Sequence, residues 1–131
     1  MIEKLYTRGQ LERKISQEIQ AFYKAHIGRR PSRVTCQLFG KKLAIIIEDS
    51  IAGAEQMLME DGKKDLAQEV RNNIQQAIRP EFKRLVESIA RVEVLDILSD
   101  TTIETGRTGV IAILSQTPQV SNPEDIPKVK N

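Results

Sequence analysis

The stretch Arg33-Val34-Thr35-Cys36-Gln37-Leu38-Phe39-Gly40-Lys41-Lys42-Leu43-Ala44-Ile45-Ile46-Ile47-Glu48-Asp49 decides the fold. Val34, Cys36 and Leu38 alternate with Thr35, Gln37 and Phe39, the two-residue period of a strand with one buried face. Gly40-Lys41 then supplies a tight turn with glycine at its first central position, which suits a type II′ hairpin. Leu43–Ile47 returns as the second strand, because its β-branched run favours strand over helix. Its weak alternation predicts an inner strand with both faces at least partly covered.

Upstream, Leu11, Ile15, Ile19, Phe22 and His26 step by about four, the spacing of one stripe on a helix. That helix is expected from about Gly9, after a loose arm over 1–8. Gly28 is its left-handed cap, and Pro31 prevents resumption. Downstream, Asp49 or Ser50 can cap a short helix over Ile51–Met59, which Asp61-Gly62 ends. A long helix follows from about Lys63 to Ala90, with Leu66, Val70, Ile74, Ala77 and Ile78 as its first apolar face. Phe82, Leu85, Val86 and Ile89 continue that face. Pro80 lies inside and lacks a donor, so the helix either kinks near Gln76–Arg79 or splits in two. Val92–Thr105 reads as a third strand, Thr105–Gly109 as a turn and Val110–Leu114 as a fourth strand.

The expected fold class is therefore α+β, in the order helix, β-hairpin, short helix, long kinked helix, β-hairpin. The two hairpins share one four-stranded antiparallel sheet with helices on one face. A single domain over 9–116 suits a chain of 131 residues. Pro118, Pro123 and Pro127 lie in a polar stretch, so 117–131 reads as a disordered tail. Such a sheet leaves two edges and one face to protect, which predicts a homodimer.

With no Trp and only two Tyr and three Phe, the core must be aliphatic. The single cysteine excludes an intramolecular disulfide and a Cys-based zinc site. One cysteine and no recognisable signal peptide point to the cytoplasm. The longest apolar run, Leu43–Ile47, is far shorter than the roughly 20 residues of a membrane span, which argues against direct membrane insertion. Net charge is +2, too small to argue for nucleic acid. It is unevenly spread: Lys24–Lys42 contains no Asp or Glu, and Glu48, Asp49, Glu55, Glu60 and Asp61 follow.

Two segments stand out as candidate ligand or partner sites. Ser99, Asp100, Thr102 and Glu104, in a Thr-rich run, could present a carboxylate and hydroxyls. Equally, they could be a solvated strand end held by local side-chain bonds. Arg29, Arg30 and Arg33, with Lys41 and Lys42, could bind an anion. Against one patch, Arg33 and Lys42 should lie at opposite ends of the hairpin, and stacking aromatics are scarce. His26 has no local nucleophile or orienting carboxylate, so it reads as a helix-end packing residue. Cys36 should face the core as a small hydrophobe. The acidic run lacks the ligand spacing of a calcium loop. No catalytic, cofactor or metal motif is legible.

The segments Gly28-Arg29-Arg30-Pro31-Ser32-Arg33-Val34, Arg79-Pro80-Glu81, Ser99-Asp100 and Thr105-Gly106 carry a family resemblance. In this order they are similar to the MpsC-type family of small bacterial proteins, over about Leu11 to Leu114. Arg30 departs from the pattern, in which a second glycine is usual. The resemblance implies a soluble component of a sodium-translocating, membrane-potential-generating system, and no catalytic residues. With no span of its own, such a chain acts as a non-enzymatic accessory protein beside a membrane-protein partner. The alternative is an anion- or nucleic-acid-binding module built on 24–42.

Overall fold

The computed structural model describes residues 4–128. Helix α1 spans Arg8–Ile27. It starts one residue earlier than the apolar stripe suggests because Thr7 closes a capping box. Gln10 N donates to Thr7 Oγ1 at 3.1 Å, and Thr7 N donates to Gln10 Oε1 at 2.9 Å. Gly28, at φ 88°, ends the helix in the left-handed region. Leu11, Ile15, Ile19 and Phe22 are buried, joined by Tyr23. His26 is exposed, stacked on Phe22 with ring centroids 4.1 Å apart.

Strands β1 (Arg33–Phe39) and β2 (Lys42–Glu48) form the first hairpin. Gly40 has φ 55°, whereas Lys41 is not left-handed, as a type II′ turn requires. Strands β3 (Val94–Thr102) and β4 (Arg107–Leu114) form the second. The sheet is antiparallel with strand order β1-β2-β4-β3. The fold is the expected α+β class. The second turn is 103–106, earlier than expected, because Gly106, at φ 73°, makes the turn and Gly109 pairs inside β4.

One face of the sheet carries the core. Cys36, Leu38, Leu43, Ile45, Ile47, Ile97, Val110, Ala112 and Leu114 pack there against α1 and the long helix α3 (Lys64–Ala90). Helix α3 runs through Pro80 without splitting. Both Pro80 and Gln76, whose carbonyl loses its helical donor, are exposed, so water can serve that oxygen.

The first half of α3 corrects the expected stripe. Leu66 is 44% exposed, while Ala67 and Arg71 are fully buried. Helix α2 (Gly53–Glu60) is also shorter than expected, and its N-cap is Ala52, with no side-chain cap. Asp49 instead turns the chain at φ 55°, and Ser50 is buried in the interior.

Both sheet edges are blunted. On β1, Glu12 Oε2 of α1 accepts from Leu38 N at 2.7 Å, and Pro127 O accepts from Gly40 N at 2.8 Å. On β3, the pairing shifts register between Val94 and Asp96, the mark of a bulge. Glu87 Oε2 accepts from Val94 N, and Asp100 Oδ1 accepts from Thr101 N, each at 2.9 Å.

The expectation of a disordered tail is corrected over 117–128. Val120 and Ile126 join the main core. Asn122 Oδ1 accepts from Arg8 N at 2.7 Å, and Tyr6 O accepts from Ser121 N at 2.9 Å. Three prolines suppress regular structure yet restrict the unfolded chain, so ordering costs less entropy than composition suggests. The remaining tail positions, 129–131, and arm positions 1–3 lie outside the described residues. Deleting 117–131 should lower unfolding free energy by about 2–4 kcal/mol, from two buried aliphatic side chains. Urea titration of full-length and truncated chains checks this; an unchanged midpoint would refute it.

Candidate functional site

The most unusual chemistry is a buried polar cluster at the end of the sheet carrying the β3–β4 turn. Arg71 of α3 and Glu55 of α2 both have 0% side-chain exposure, with Nε to Oε2 at 2.8 Å. Arg71 Nη2 also donates to Ser50 O at 2.6 Å. One guanidinium therefore joins both helices to the link leaving β2. Ser50 Oγ donates to Gly106 O at 2.9 Å and lies 2.8 Å from Thr108 Oγ1. Thr108 Oγ1 in turn lies 2.7 Å from Thr101 Oγ1, which accepts from Gln75 Nε2 at 3.3 Å.

Tyr23 abuts this chain of hydroxyls. Burial pushes its phenol pKa up, while Arg71 and the neighbouring Thr108 and Gln75 side chains pull the other way. Among the described residues, Glu55 Oε1 and Arg71 Nη1 find no hydrogen-bond partner. The pair is thus incompletely satisfied, which makes it a device for positioning rather than a large stabiliser. A second small core of Ile51, Ala67 and Ile103 packs beside it.

The sequence-predicted residues divide. Ser99 points inward and, with Tyr23, Gln75 and Arg79, lines a crevice of about 10 Å³, room for about one water molecule. Asp100 and Thr102 point to the opposite face, where Asp100 satisfies the edge N–H of Thr101. Glu104 sits in the turn and pairs with Lys64 of α3, which holds its carboxyl below the usual range. The Thr-rich extension is therefore largely accounted for: one threonine serves the buried cluster and the other polar groups satisfy edge and turn.

Arg29 Nη1 donates to Ile51 O at 3.3 Å, whereas Arg30 Nη2 donates to Gln20 Oε1 at 3.2 Å, back on α1. Arg33 pairs in register with Glu48, and Lys42 with Phe39 at the far end of the hairpin. The structure brings Arg29 and Arg33 to the end that holds Glu104. It does not bring Lys41 and Lys42 there.

Arg71, Glu55, Ser50 and Thr108 escape a search for apolar faces because the central group is charged. One signal was legible. Extending the stripe of Phe82, Val86 and Ala90 backwards by steps of three and four reaches Ile78, Gln75, Arg71 and Ala67.

Cys36 is buried, and burial, with Glu12 nearby, pushes its thiol up to about 12. A thiol held protonated is a packing group and a poor nucleophile. Among the described residues, no group of three or more His, Cys, Asp or Glu side chains is placed to hold a metal ion.

The fold and site define a two-layer α+β domain whose buried polar cluster anchors helices to a sheet. Residues 7–116 match the family described as the Na+-translocating membrane potential-generating system (MpsC), and the chain belongs to that family. No curated protein and no solved structure matches. Among the described residues, no helix is long and apolar enough to cross a membrane.

Two outcomes follow from the cluster and Cys36. Arg71→Met should cost about 3–5 kcal/mol by leaving Glu55 buried and unpaired. The double variant Arg71→Met, Glu55→Leu should be less destabilised than the single, measured by urea unfolding. For Cys36, the unfolded thiol titrates near 9.0 and the folded one near 12. The unfolded state therefore releases its proton first, and this contribution to stability, intact below about 9, is lost as pH rises towards about 12. Cys36→Ala should show a shallower stability loss between pH 9 and 11 than wild type. Tyr23 leaves a residual slope in both.

Proposed function

We propose that the protein is a non-enzymatic accessory component of a membrane ion-transport or membrane-potential system, working at the cytoplasmic side. The observation that carries this reading is the family match over 7–116, taken with helices too polar to cross a membrane among the described residues. A chain of this kind contributes by docking on a membrane-embedded partner. The buried cluster supports that role, because it holds the turn end of the sheet rigid against α2 and α3.

The partner surface in this reading is that same end, where Arg29, Arg33 and Glu104 gather. Rigid presentation limits the ordering cost of association. Mixed charge at a rim sets specificity and encounter rate more than affinity.

The test is deletion of the gene followed by measurement of membrane potential with a voltage-sensitive dye. Loss of potential that the wild-type chain restores is the expected result. Restoration should fall at least several-fold with the variant Arg29→Glu, Glu104→Lys, provided it is expressed and folded. An unchanged potential in the deletion strain would overturn the reading. Full restoration by the variant would remove this surface from it.

A further inference from the structure

We infer that the uncovered face of the sheet is a self-association surface on which a second copy of this chain packs, sheet against sheet. Inward side chains of the four strands meet α1 and α3, whereas among the described residues no helix covers the opposite face. Ile46 is 46% exposed and Leu98 55%. Ala44, next to Ile46 on β2, and Ile111 and Ile113 on β4 are half-buried. Contiguous apolar surface of this kind on a chain this small is the signature of an interaction site.

The edges do not compete for the role. Glu12, Pro127, Glu87 and Asp100 occupy edge N–H groups, and the bulge before Asp96 twists β3 away. Protection has been applied to the edges and withheld from the face, which selects face-to-face over edge-to-edge association.

Charge selects a second copy over another partner. Register places Glu48 beside Arg107 at one end of the face and Lys42 beside Ile113 at the other. A two-fold axis lying across the strands reverses the second sheet. Each Glu48 then faces Lys42 of the other copy, and each Ile111 faces the other copy's Gly109. A Cβ on Gly109 would meet only Ile46 Cδ1, at 4.0 Å, so that position is a shallow hollow able to receive a side chain. Leu98 meets the other copy's Asp100 at the β3 margin, and no like charges oppose one another. Such a face complements itself, as an isologous interface must.

Size is consistent with a real but modest interface. Four strands about 4.8 Å apart and seven residues about 3.4 Å apart give roughly 450 Å² of flat area. Side-chain relief raises this towards the roughly 600 Å² per copy of the smallest standard interfaces. Aligned packing of two twisted sheets at about −30° then produces a four-layer assembly with helices outside.

The experiment is sedimentation equilibrium on the full chain from about 1 to 100 μM, a range that brackets modest interfaces. The expected species is a dimer that dissociates at the low end. Gly109→Lys and Ile46→Lys, at positions on the uncovered face that would meet Ile111 and Ala44 of the other copy, should each weaken dimerisation by roughly 100-fold or more. Their circular dichroism and unfolding midpoints should stay close to wild type. Gly109 is not at positive φ, so its substitution introduces no backbone strain, and it stands as the fold-neutral control should Ile46→Lys misfold. A monomer at 100 μM would overturn the inference. So would a dimer that persists in both folded variants.

Discussion

Arg71 is the constraint on which the rest of the arrangement depends. A guanidinium cannot be deprotonated in the interior, so once buried it dictates what surrounds it. Here it takes Glu55 from α2 and the Ser50 carbonyl from the chain leaving β2. Through Ser50 it reaches Gly106 and Thr108 of the second hairpin. Remove that one group and α2, α3 and the turn end of the sheet lose their common point of attachment.

The rest of the core is conventional by comparison. Aliphatic side chains from the inner sheet face, α1 and the second half of α3 fill one continuous cluster. The two ends of the domain are therefore held by different physics. Non-directional burial stabilises the end under Phe22, Phe82 and Val86. Directional hydrogen bonds set the geometry at the end under Arg71, where the second cluster has only Ile51, Ala67 and Ile103 as fully buried apolar members. A small apolar cluster tolerates sliding; the ion pair and hydroxyl chain do not.

This division bears on function. In the proposed function a rigid surface is offered to a membrane partner, and the polar-anchored end carries exposed charge on a fixed scaffold. The opposite face of the sheet offers something different, an apolar strip along β2 and β4 with guarded edges. In the two proposed readings the apolar strip of β2 and β4 serves self-association and the charged end serves the partner, with Arg33 at the margin where they meet.

Periodicity by itself determined the elements that carry strong local signals. The first hairpin, with Gly40 at its turn, and the Leu11–Phe22 stripe of α1 were legible because neighbours in sequence share a face. The candidate residues were legible only as types: Asp100 and the Thr-rich run stood out, but not that Asp100 would serve an edge N–H. Tertiary structure alone decided the rest. Leu66 faces out because α3 turns Ala67 and Arg71 inward, an orientation fixed by Arg71's acceptors on α2 and on the chain leaving β2. Ser50 went to the interior and left α2 without a side-chain cap, because Gly106 and Thr108 offered it partners far along the chain. The tail folded back because Val120, Ile126 and Asn122 find partners supplied by residues brought close only by the fold. In each case the deciding partner is distant in sequence, and local pattern carries no information about it.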